Sequence, residues 1–227
     1  MANKNNNKGY VTGGGGFATV EAYKLARTNI SLSIIKQGCK RVLITSSVAG
    51  EGKTTTACNI AAAFSKQVNS RTIIIDCDLR KPTVSKFFRL KSAKGLTNYL
   101  VGMCTLDEII QTVPGTELSV ISSGIIPPNP SELLSSQAFA DMLDELSLRF
   151  DYIIIDTPPV NIVVDAIPVI QLVDGVVLVA YQNKSTFTEL DKAVDSVKQH
   201  YGKLIGIVLN GKRFKSKKTQ YKPYRQQ

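Results

Sequence analysis

Short runs of aliphatic and β-branched residues recur along the chain, and several are apolar at every position rather than at alternate ones. Such runs are typical of strands buried on both faces of a parallel sheet. Longer stretches between them carry apolar residues at steps of three and four, which predicts helices. The predicted strands are Arg41–Thr45, Thr72–Ile75, Leu118–Ile121, Tyr152–Ile155, Gly175–Ala180 and Leu204–Leu209. We therefore predict an α/β fold with a mostly parallel sheet flanked by helices on both faces.

The two ends of the chain depart from this pattern. Residues 1–16 are rich in Asn, Lys and Gly, a composition that buries little apolar surface, so we predict a flexible N-terminal segment. Helical spacing runs from 18 to 36, and the folded domain is predicted to span 17–210. Residues 211–227 contain seven Lys and Arg residues, two tyrosines and no acid, and form a predicted basic tail.

Charge is concentrated in that tail. The 227-residue chain has a net charge of +10, and the tail contributes seven of those charges. The rest is close to neutral, so we expect no nucleic-acid partner. No run approaches the ~20 apolar residues of a membrane helix, and the first residues do not resemble a signal peptide. We therefore expect a cytoplasmic protein.

A phosphate-binding loop is predicted between the first strand and the helix that follows it. Residues 47–54, SVAGEGKT, are similar to the pattern GxxxxGK[ST], with Ser47 in place of the first glycine. A chance match that only caps a helix is the alternative. The strand before the loop and the helical pattern of Lys53–Phe64 after it favour nucleoside triphosphate binding.

Each part of this loop suits a triphosphate. Gly50 and Gly52 allow backbone N–H groups to turn toward phosphate oxygens. Lys53 supplies a positive charge for the β- and γ-phosphates, and the Thr54 hydroxyl is placed for Mg²⁺. The loop residues predicted to bind the nucleoside triphosphate are Ser47, Gly50, Glu51, Gly52, Lys53, Thr54 and Thr55.

Carboxylates end two of the buried strands. Asp76 and Asp78 follow the second strand and Asp156 follows the fourth. Ligands bind at the carboxyl edge of parallel sheets, and Asp156 fits a water-mediated Mg²⁺ ligand there. Asp76 and Asp78 can face one side, share a metal–water cage and accept a proton from an attacking hydroxyl. A single such Asp is more often a turn former or cap, but three beside a phosphate loop favour a metal site.

The motifs together resemble the deviant Walker ATPases, and within them the bacterial tyrosine kinases of capsule and exopolysaccharide synthesis. Residues 46–55 resemble the Walker A motif of that family, and IIIDCDLRKP at 73–82 resembles its Walker A′ motif. IIIDTPP at 153–159, followed by Val164-Asp165-Ala166, resembles its Walker B motif. The resemblance covers the chain from about Glu21 onward. It implies a P-loop NTPase fold, ATP as the donor, Mg²⁺ as the cofactor and tyrosine as the acceptor.

The resemblance also implies a role for each motif residue. Lys53 would hold the phosphates and Thr54 the metal, while Asp78 and Asp156 would order metal-bound water. Asp76 is the candidate base for the tyrosine hydroxyl. The catalytic set is therefore Lys53, Asp76, Asp78 and Asp156, and the metal set is Thr54, Asp78 and Asp156.

A further position concerns the base of the nucleotide. Asn210, at the end of the last predicted strand, matches a residue that contacts adenine in related ATPases. A strand-terminating asparagine is the alternative interpretation.

The family also carries an ExxRxxR helix motif that docks onto a neighbouring subunit in a ring. Here it comprises Glu21, Lys24 and Arg27, and Lys24 keeps the charge of the first arginine but loses its planar fork. The alternative is a solvated helix face with an intrahelical ion pair.

The family's acceptors are C-terminal tyrosines, which correspond here to Tyr221 and Tyr224 in the basic tail. The alternative is a basic tail whose tyrosines have no role. The resemblance further implies three partners: a membrane-spanning polysaccharide chain-length regulator as activator, other copies of the chain in a ring, and a tyrosine phosphatase. Through the regulator, the kinase would sit at the inner face of the membrane.

Two other functions remain open at this point. One is a partitioning or division-site ATPase, although many of these carry a lysine where this chain has Val48. The other is a nucleotide-gated adaptor without catalysis, which the retained aspartates disfavour.

Overall fold

The structure is a computed structural model and describes residues 16–91 and 94–211. Most of the predicted N-terminal segment and the tail from residue 212, with Tyr221 and Tyr224, lie outside these ranges. No helix in the described ranges is long and apolar enough to cross a membrane.

The strands of the described residues form a single sheet in the order β3-β4-β2-β5-β1-β6-β7. All neighbouring pairs are parallel except β3 with β4. The strands are β1 (Lys40–Ser46), β2 (Thr72–Asp76), β3 (Ile110–Thr112), β4 (Leu118–Ile121), β5 (Tyr152–Asp156), β6 (Gly175–Tyr181) and β7 (Leu204–Asn210).

Helices follow most of the strands, as the alternating pattern predicts. They are α1 (Phe17–Ser33), α2 (Lys53–Phe64), α3 (Val84–Phe88), α4 (Leu96–Leu100), α5 (Leu106–Ile109), α6 (Pro130–Leu134), α7 (Gln137–Arg149), α8 (Ile167–Ile170) and α9 (Phe187–Gln199). A single 3₁₀ turn, Val164–Ala166, precedes α8.

The sheet separates two apolar cores. In β1, Leu43 packs into the core that contains α7 and α9, whereas Val42 and Ile44 pack into the core that contains α1 and α2. All three side chains are fully buried. Because both faces are covered, successive residues are all apolar, and the predicted α/β class with a mostly parallel sheet is confirmed.

The pattern was wrong at two places. It predicted no strand at Ile110–Thr112, because three residues carry too little periodicity and this antiparallel edge strand depends on its pairing with β4. It also extended the first helix to residue 36, whereas α1 ends at Ser33. Ile34 leaves the helix with an extended backbone and buries its side chain in the core.

Three adjacent strands bring the predicted motifs together. In the sheet, β5 lies between β2 and β1, and Asp156 pairs in register with both Asp76 and Ile44. The segments that follow these three strands therefore emerge side by side at the carboxyl edge of the sheet.

Candidate active site

The phosphate loop depends on two glycines in the left-handed region. Gly50 has φ 76° and Gly52 has φ 85°, values that residues with a side chain rarely adopt. A Cβ added at Gly52 would also lie 2.7 Å from Asn210 Nδ2. Glycine is therefore required at position 52 by both the backbone angle and the space around it.

The Glu51 side chain is fully buried and holds the loop from inside. Its carboxylate accepts hydrogen bonds from the Ser47 hydroxyl at 2.9 Å, from the Val48 backbone N–H at 2.9 Å and from the Ser185 hydroxyl. Sequence patterns gave no sign of Ser185, which comes from the connection between β6 and α9. Ser47 and Glu51 thus shape the loop, and neither lines the cavity that faces it.

Asn210 also braces the loop. Its Nδ2 donates to the Glu51 carbonyl at 2.9 Å and to the Thr56 hydroxyl at 3.0 Å. The last strand is thereby tied to the loop, a role that neither interpretation of Asn210 from the sequence included.

Lys53 lies between two of the strand-end carboxylates. Its Nζ is 2.6 Å from Asp78 Oδ2 and 3.7 Å from Asp156 Oδ1. Burial lowers the pKa of Lys53, but the charges of Asp156 and Asp78 outweigh it, so the net shift is upward. The lysine is therefore held in its charged form at the mouth of the loop.

Asp156 is fully buried, and one of its oxygens accepts no hydrogen bond from the described residues. The Thr54 hydroxyl donates to Asp156 Oδ2 at 2.6 Å, whereas Oδ1 makes no hydrogen bond within the described residues. Burial raises the pKa of Asp156 above its ordinary value, against the opposing effect of the Lys53 charge.

These oxygens fit a magnesium ion. The described residues contain no group of three or more His, Cys, Asp or Glu side chains that could hold a metal. Mg²⁺ does not need one, because it is usually bound through one or two carboxylates, water and substrate phosphates. Such a set is present here. It consists of Asp156 Oδ1, which accepts no hydrogen bond from the described residues, the Thr54 hydroxyl and the nearby Asp78 carboxylate.

Asp76 lies deeper than its neighbour. Its Oδ2 accepts hydrogen bonds from the backbone N–H groups of Thr83 at 3.1 Å and Val84 at 3.0 Å. Its Oδ1 accepts one from the backbone N–H of Asp78 at 3.2 Å. Burial raises the pKa of Asp76, and the charge of Asp156 adds to the rise. Asp78 lines the cavity, whereas Asp76 lies behind it.

The cavity in front of the loop has a volume of about 340 Å³. Six of the predicted residues line it: Gly50, Gly52, Lys53, Thr54, Thr55 and Asp78. The opposite wall includes Pro158 and Pro159 after β5, together with Ile162. The structure therefore brings the loop and the strand ends to one cleft, as the sequence predicted.

An ion pair joins the Walker A′ and Walker B regions. Arg80 donates to both carboxylate oxygens of Asp165, from Nε at 2.6 Å and from Nη2 at 3.0 Å. Asp165 is fully buried, and the Arg80 side chain is 45% exposed at the cavity wall. Both residues stood in the matched motifs, but nothing in their spacing predicted the pairing.

The predicted subunit-docking residues lie on α1. Lys24 and Glu21 form an exposed ion pair of 2.7 Å one turn apart. Arg27 instead turns toward the domain, where its Nη1 donates to the carbonyl of Ala63 at 3.1 Å.

The fold and the loop define a class, and a family model supports it. The matching model is ParA, described as NUBPL iron-transfer P-loop NTPase, and it spans residues 38–226. The protein is therefore a P-loop NTPase of the ParA type.

Similar proteins narrow this class. Tyrosine-protein kinase YwqD of Bacillus subtilis (strain 168) is 39% identical over 204 residues, which is 90% of this chain and 85% of YwqD. The crystal structure of the chimerical protein CapA2B2 matches with a TM-score of 0.79 and 37% identity over 83% of each chain. The kinase domain of the Escherichia coli tyrosine kinase ETK matches with a TM-score of 0.81 and 31% identity, over 85% of this chain and 75% of that domain.

The chain belongs to the bacterial tyrosine-protein kinase family. The predicted family and the predicted enzyme class, a protein-tyrosine kinase, are confirmed.

Proposed function

We propose that this kinase transfers the γ-phosphate of ATP to Tyr221 and Tyr224 in the tail of a neighbouring copy, with Mg²⁺ as cofactor. The observation that carries the proposal is the meeting of Lys53, Asp78 and Asp156 in front of the phosphate loop. A cation and two carboxylates at a glycine-shaped loop suit the binding and polarisation of a triphosphate.

Each group has a proposed part in the transfer. The tyrosine oxygen attacks the γ-phosphorus, the bond to the β–γ bridging oxygen breaks, and ADP leaves with the electrons of that bond. Lys53 stabilises the negative charge on the phosphates. Thr54, Asp78 and Asp156 would hold Mg²⁺, which supplies further positive charge when bound.

Asp76 is the proposed acceptor of the tyrosine proton. A raised pKa makes its carboxylate a stronger base, and its position in register with Asp156 keeps it at the strand edge. Because Asp78 lies in front of it and contacts Lys53, the two aspartates have separable roles that substitution can distinguish.

The neighbouring copy is proposed to dock through Glu21, Lys24 and Arg27 on α1, which forms a ring. Seventeen tail residues span up to roughly 55 Å when extended, enough to reach an adjacent active site. We propose that a membrane-spanning chain-length regulator activates the kinase at the inner face of the membrane. The cycle of phosphorylation, reversed by a tyrosine phosphatase, would then regulate capsular or exopolysaccharide synthesis and export. Relatives named CapB and CpsD support this assignment.

Labelled ATP and Mg²⁺ test the proposal, with and without the cytosolic segment of the regulator. The variants are Lys53→Met and the double variant Tyr221→Phe/Tyr224→Phe, with Lys66→Met as a control at an exposed lysine outside the site and the proposed docking face. We expect labelled tyrosine in the wild type and in Lys66→Met, and none in the other two.

Three results would contradict it. Free phosphate without labelled tyrosine indicates a ParA-type ATPase, and nucleotide binding without either product indicates an adaptor. Label retained in the double variant places the acceptor elsewhere, which mass spectrometry of the wild-type tail checks independently.

A further inference from the structure

A second cavity adjoins the nucleotide cavity. It has a volume of about 400 Å³ and shares Arg80, Lys81 and Thr83 with its neighbour. One wall comes from residues 80–86 and the other from residues 122–126, after β4. A group bound here would therefore lie beside the phosphates of a nucleotide at the loop.

The walls of this second cavity carry uncompensated positive charge. Lys81 and Lys86 are exposed, and neither ammonium group has an ion pair or hydrogen bond within the described part of the chain. Asp165 balances the charge of Arg80 through Nε and Nη2, which leaves Nη1 able to donate. No Asp or Glu is among the described residues that line the cavity.

An unpartnered hydroxyl lies in the other wall. Ser122 is 4% exposed, yet its Oγ makes no hydrogen bond with any group of the described residues. The neighbouring Ser123 is equally buried, and its hydroxyl reaches only the Gly124 carbonyl, at 3.4 Å. A buried hydroxyl without a partner is unfavourable, so a ligand that supplies an acceptor oxygen would be stabilised here.

We propose that the second cavity binds the phosphate of a phosphotyrosine. A phosphomonoester carries close to two negative charges and three acceptor oxygens near neutral pH. These match the two unpaired lysines, the remaining Arg80 donor and the Ser122 hydroxyl. The proposal rests on the proposed function, because phosphotyrosine is the product of that reaction.

The tail of this chain offers a suitable occupant. Tyr221 and Tyr224 lie three residues apart, which is about 10 Å in an extended chain, a separation suited to two adjoining cavities. The unmodified tail is strongly basic, and the positive walls repel it. A phosphate on one tyrosine makes that part of the tail negative, so the positive walls attract it instead of repelling it. The phosphate would then hold the tail in place while the other tyrosine enters the active site.

Fluorescence anisotropy tests the proposal with a labelled peptide of residues 217–227. Tyr224 of the peptide is unmodified, phosphorylated or replaced by Glu. The protein is the full chain carrying Tyr221→Phe/Tyr224→Phe, with a non-hydrolysable ATP analogue and Mg²⁺. We expect the phosphate to tighten binding at least about tenfold, as charge-assisted contacts would.

Variants then locate the bound phosphate. Lys86→Met and Ser122→Ala, which line only the second cavity, should each remove most of that gain. Lys66→Met removes the same charge from an exposed side chain just after α2, outside both cavities, and should leave the gain unchanged. Circular dichroism melts check that each variant is folded.

Several results would overturn the proposal. Equal affinity for phosphorylated and unmodified peptides refutes it, as does an equal effect of Lys86→Met and Lys66→Met. Equal binding of the Glu peptide would show a site for carboxylates instead. The peptide is synthetic, so its binding does not depend on the kinase reaction. If the phosphate does not increase the affinity of the peptide, but the wild-type tail is phosphorylated by the kinase, only this binding site is refuted. If the phosphate increases the affinity of the peptide, but the wild-type tail is not phosphorylated by the kinase, only the proposed acceptor is refuted.

Discussion

Replacement of Lys53 by methionine should destabilise the fold even in the absence of nucleotide. Lys53 Nζ lies 2.6 Å from Asp78 Oδ2 and 3.7 Å from Asp156 Oδ1, and the three side chains are 12%, 7% and 0% exposed. Methionine keeps most of the packing volume but leaves two carboxylates in a poorly solvated site without a cation. Loss of one partner from a buried ion pair typically costs about 3–5 kcal/mol.

Protonation of Asp156 limits this loss and makes it depend on pH. The Lys53 charge lowers the pKa of Asp156, so without it that pKa rises further, and the folded variant binds more protons than the folded wild type. The free energy of unfolding of the variant then falls, relative to wild type, as pH rises above the wild-type pKa of Asp156, which is about 6. Each further pH unit adds up to about 1.4 kcal/mol to the stability loss of the variant relative to wild type. We expect a loss of about 3 kcal/mol at pH 7.5 and about 1–2 kcal/mol less at pH 5.5.

Urea denaturation followed by circular dichroism measures both values, because urea does not screen charges. Lys24→Met is the matched control, since Lys24 forms an ion pair of similar length, 2.7 Å, whose side chains are 51% and 44% exposed. That variant should lose less than about 0.5 kcal/mol at either pH. Equal losses in the two variants, or a loss in Lys53→Met that does not grow with pH, would refute the reasoning.

Three further predictions concern neighbouring residues. Asp76→Asn should lower phosphoryl transfer about 10²–10⁴-fold while nucleotide still binds, and the wild-type rate should rise with pH through the raised pKa of Asp76; an unchanged pH profile in the variant would exclude Asp76 as the base. Glu51→Gln should cost about 2 kcal/mol in urea denaturation, because the amide cannot accept all three hydrogen bonds of the carboxylate; Glu117→Gln, at an exposed position just before β4, provides the comparison. Asn210→Ala should cost about 1 kcal/mol and weaken the nucleotide binding measured by calorimetry, because Glu51 and Thr56 lose the hydrogen bonds donated by Asn210 Nδ2; unaltered affinity would show that the brace is dispensable.

Much of the architecture follows from local pattern. Val42, Leu43 and Ile44 are consecutive apolar residues, and only a strand covered on both faces buries all three. The Lys53–Phe64 helix begins where the glycine-shaped loop ends, as its sequence context indicates. Asp76, Asp78 and Asp156 were predictable at one sheet edge because parallel strands align their carboxyl ends.

Other features depend on contacts between distant segments. Strand β3 has three residues and exists through its pairing with β4, so its own sequence carries little signal. Ser185 reaches Glu51 across 134 positions of the chain, and Asn210 reaches it across 159. No local periodicity encodes such pairs.

The sequence by itself determined the class of chemistry, because a phosphate loop needs Gly50, Gly52, Lys53 and Thr54 as consecutive or near neighbours. Only the tertiary structure decided how that loop is held and which aspartate faces the cavity. The same three carboxylates differ in depth: Asp78 lines the cleft, Asp156 pairs with Thr54, and Asp76 binds backbone N–H groups behind them. Depth and pairing are set by the packing of β2, β5 and their following segments, which are remote in sequence and adjacent in space.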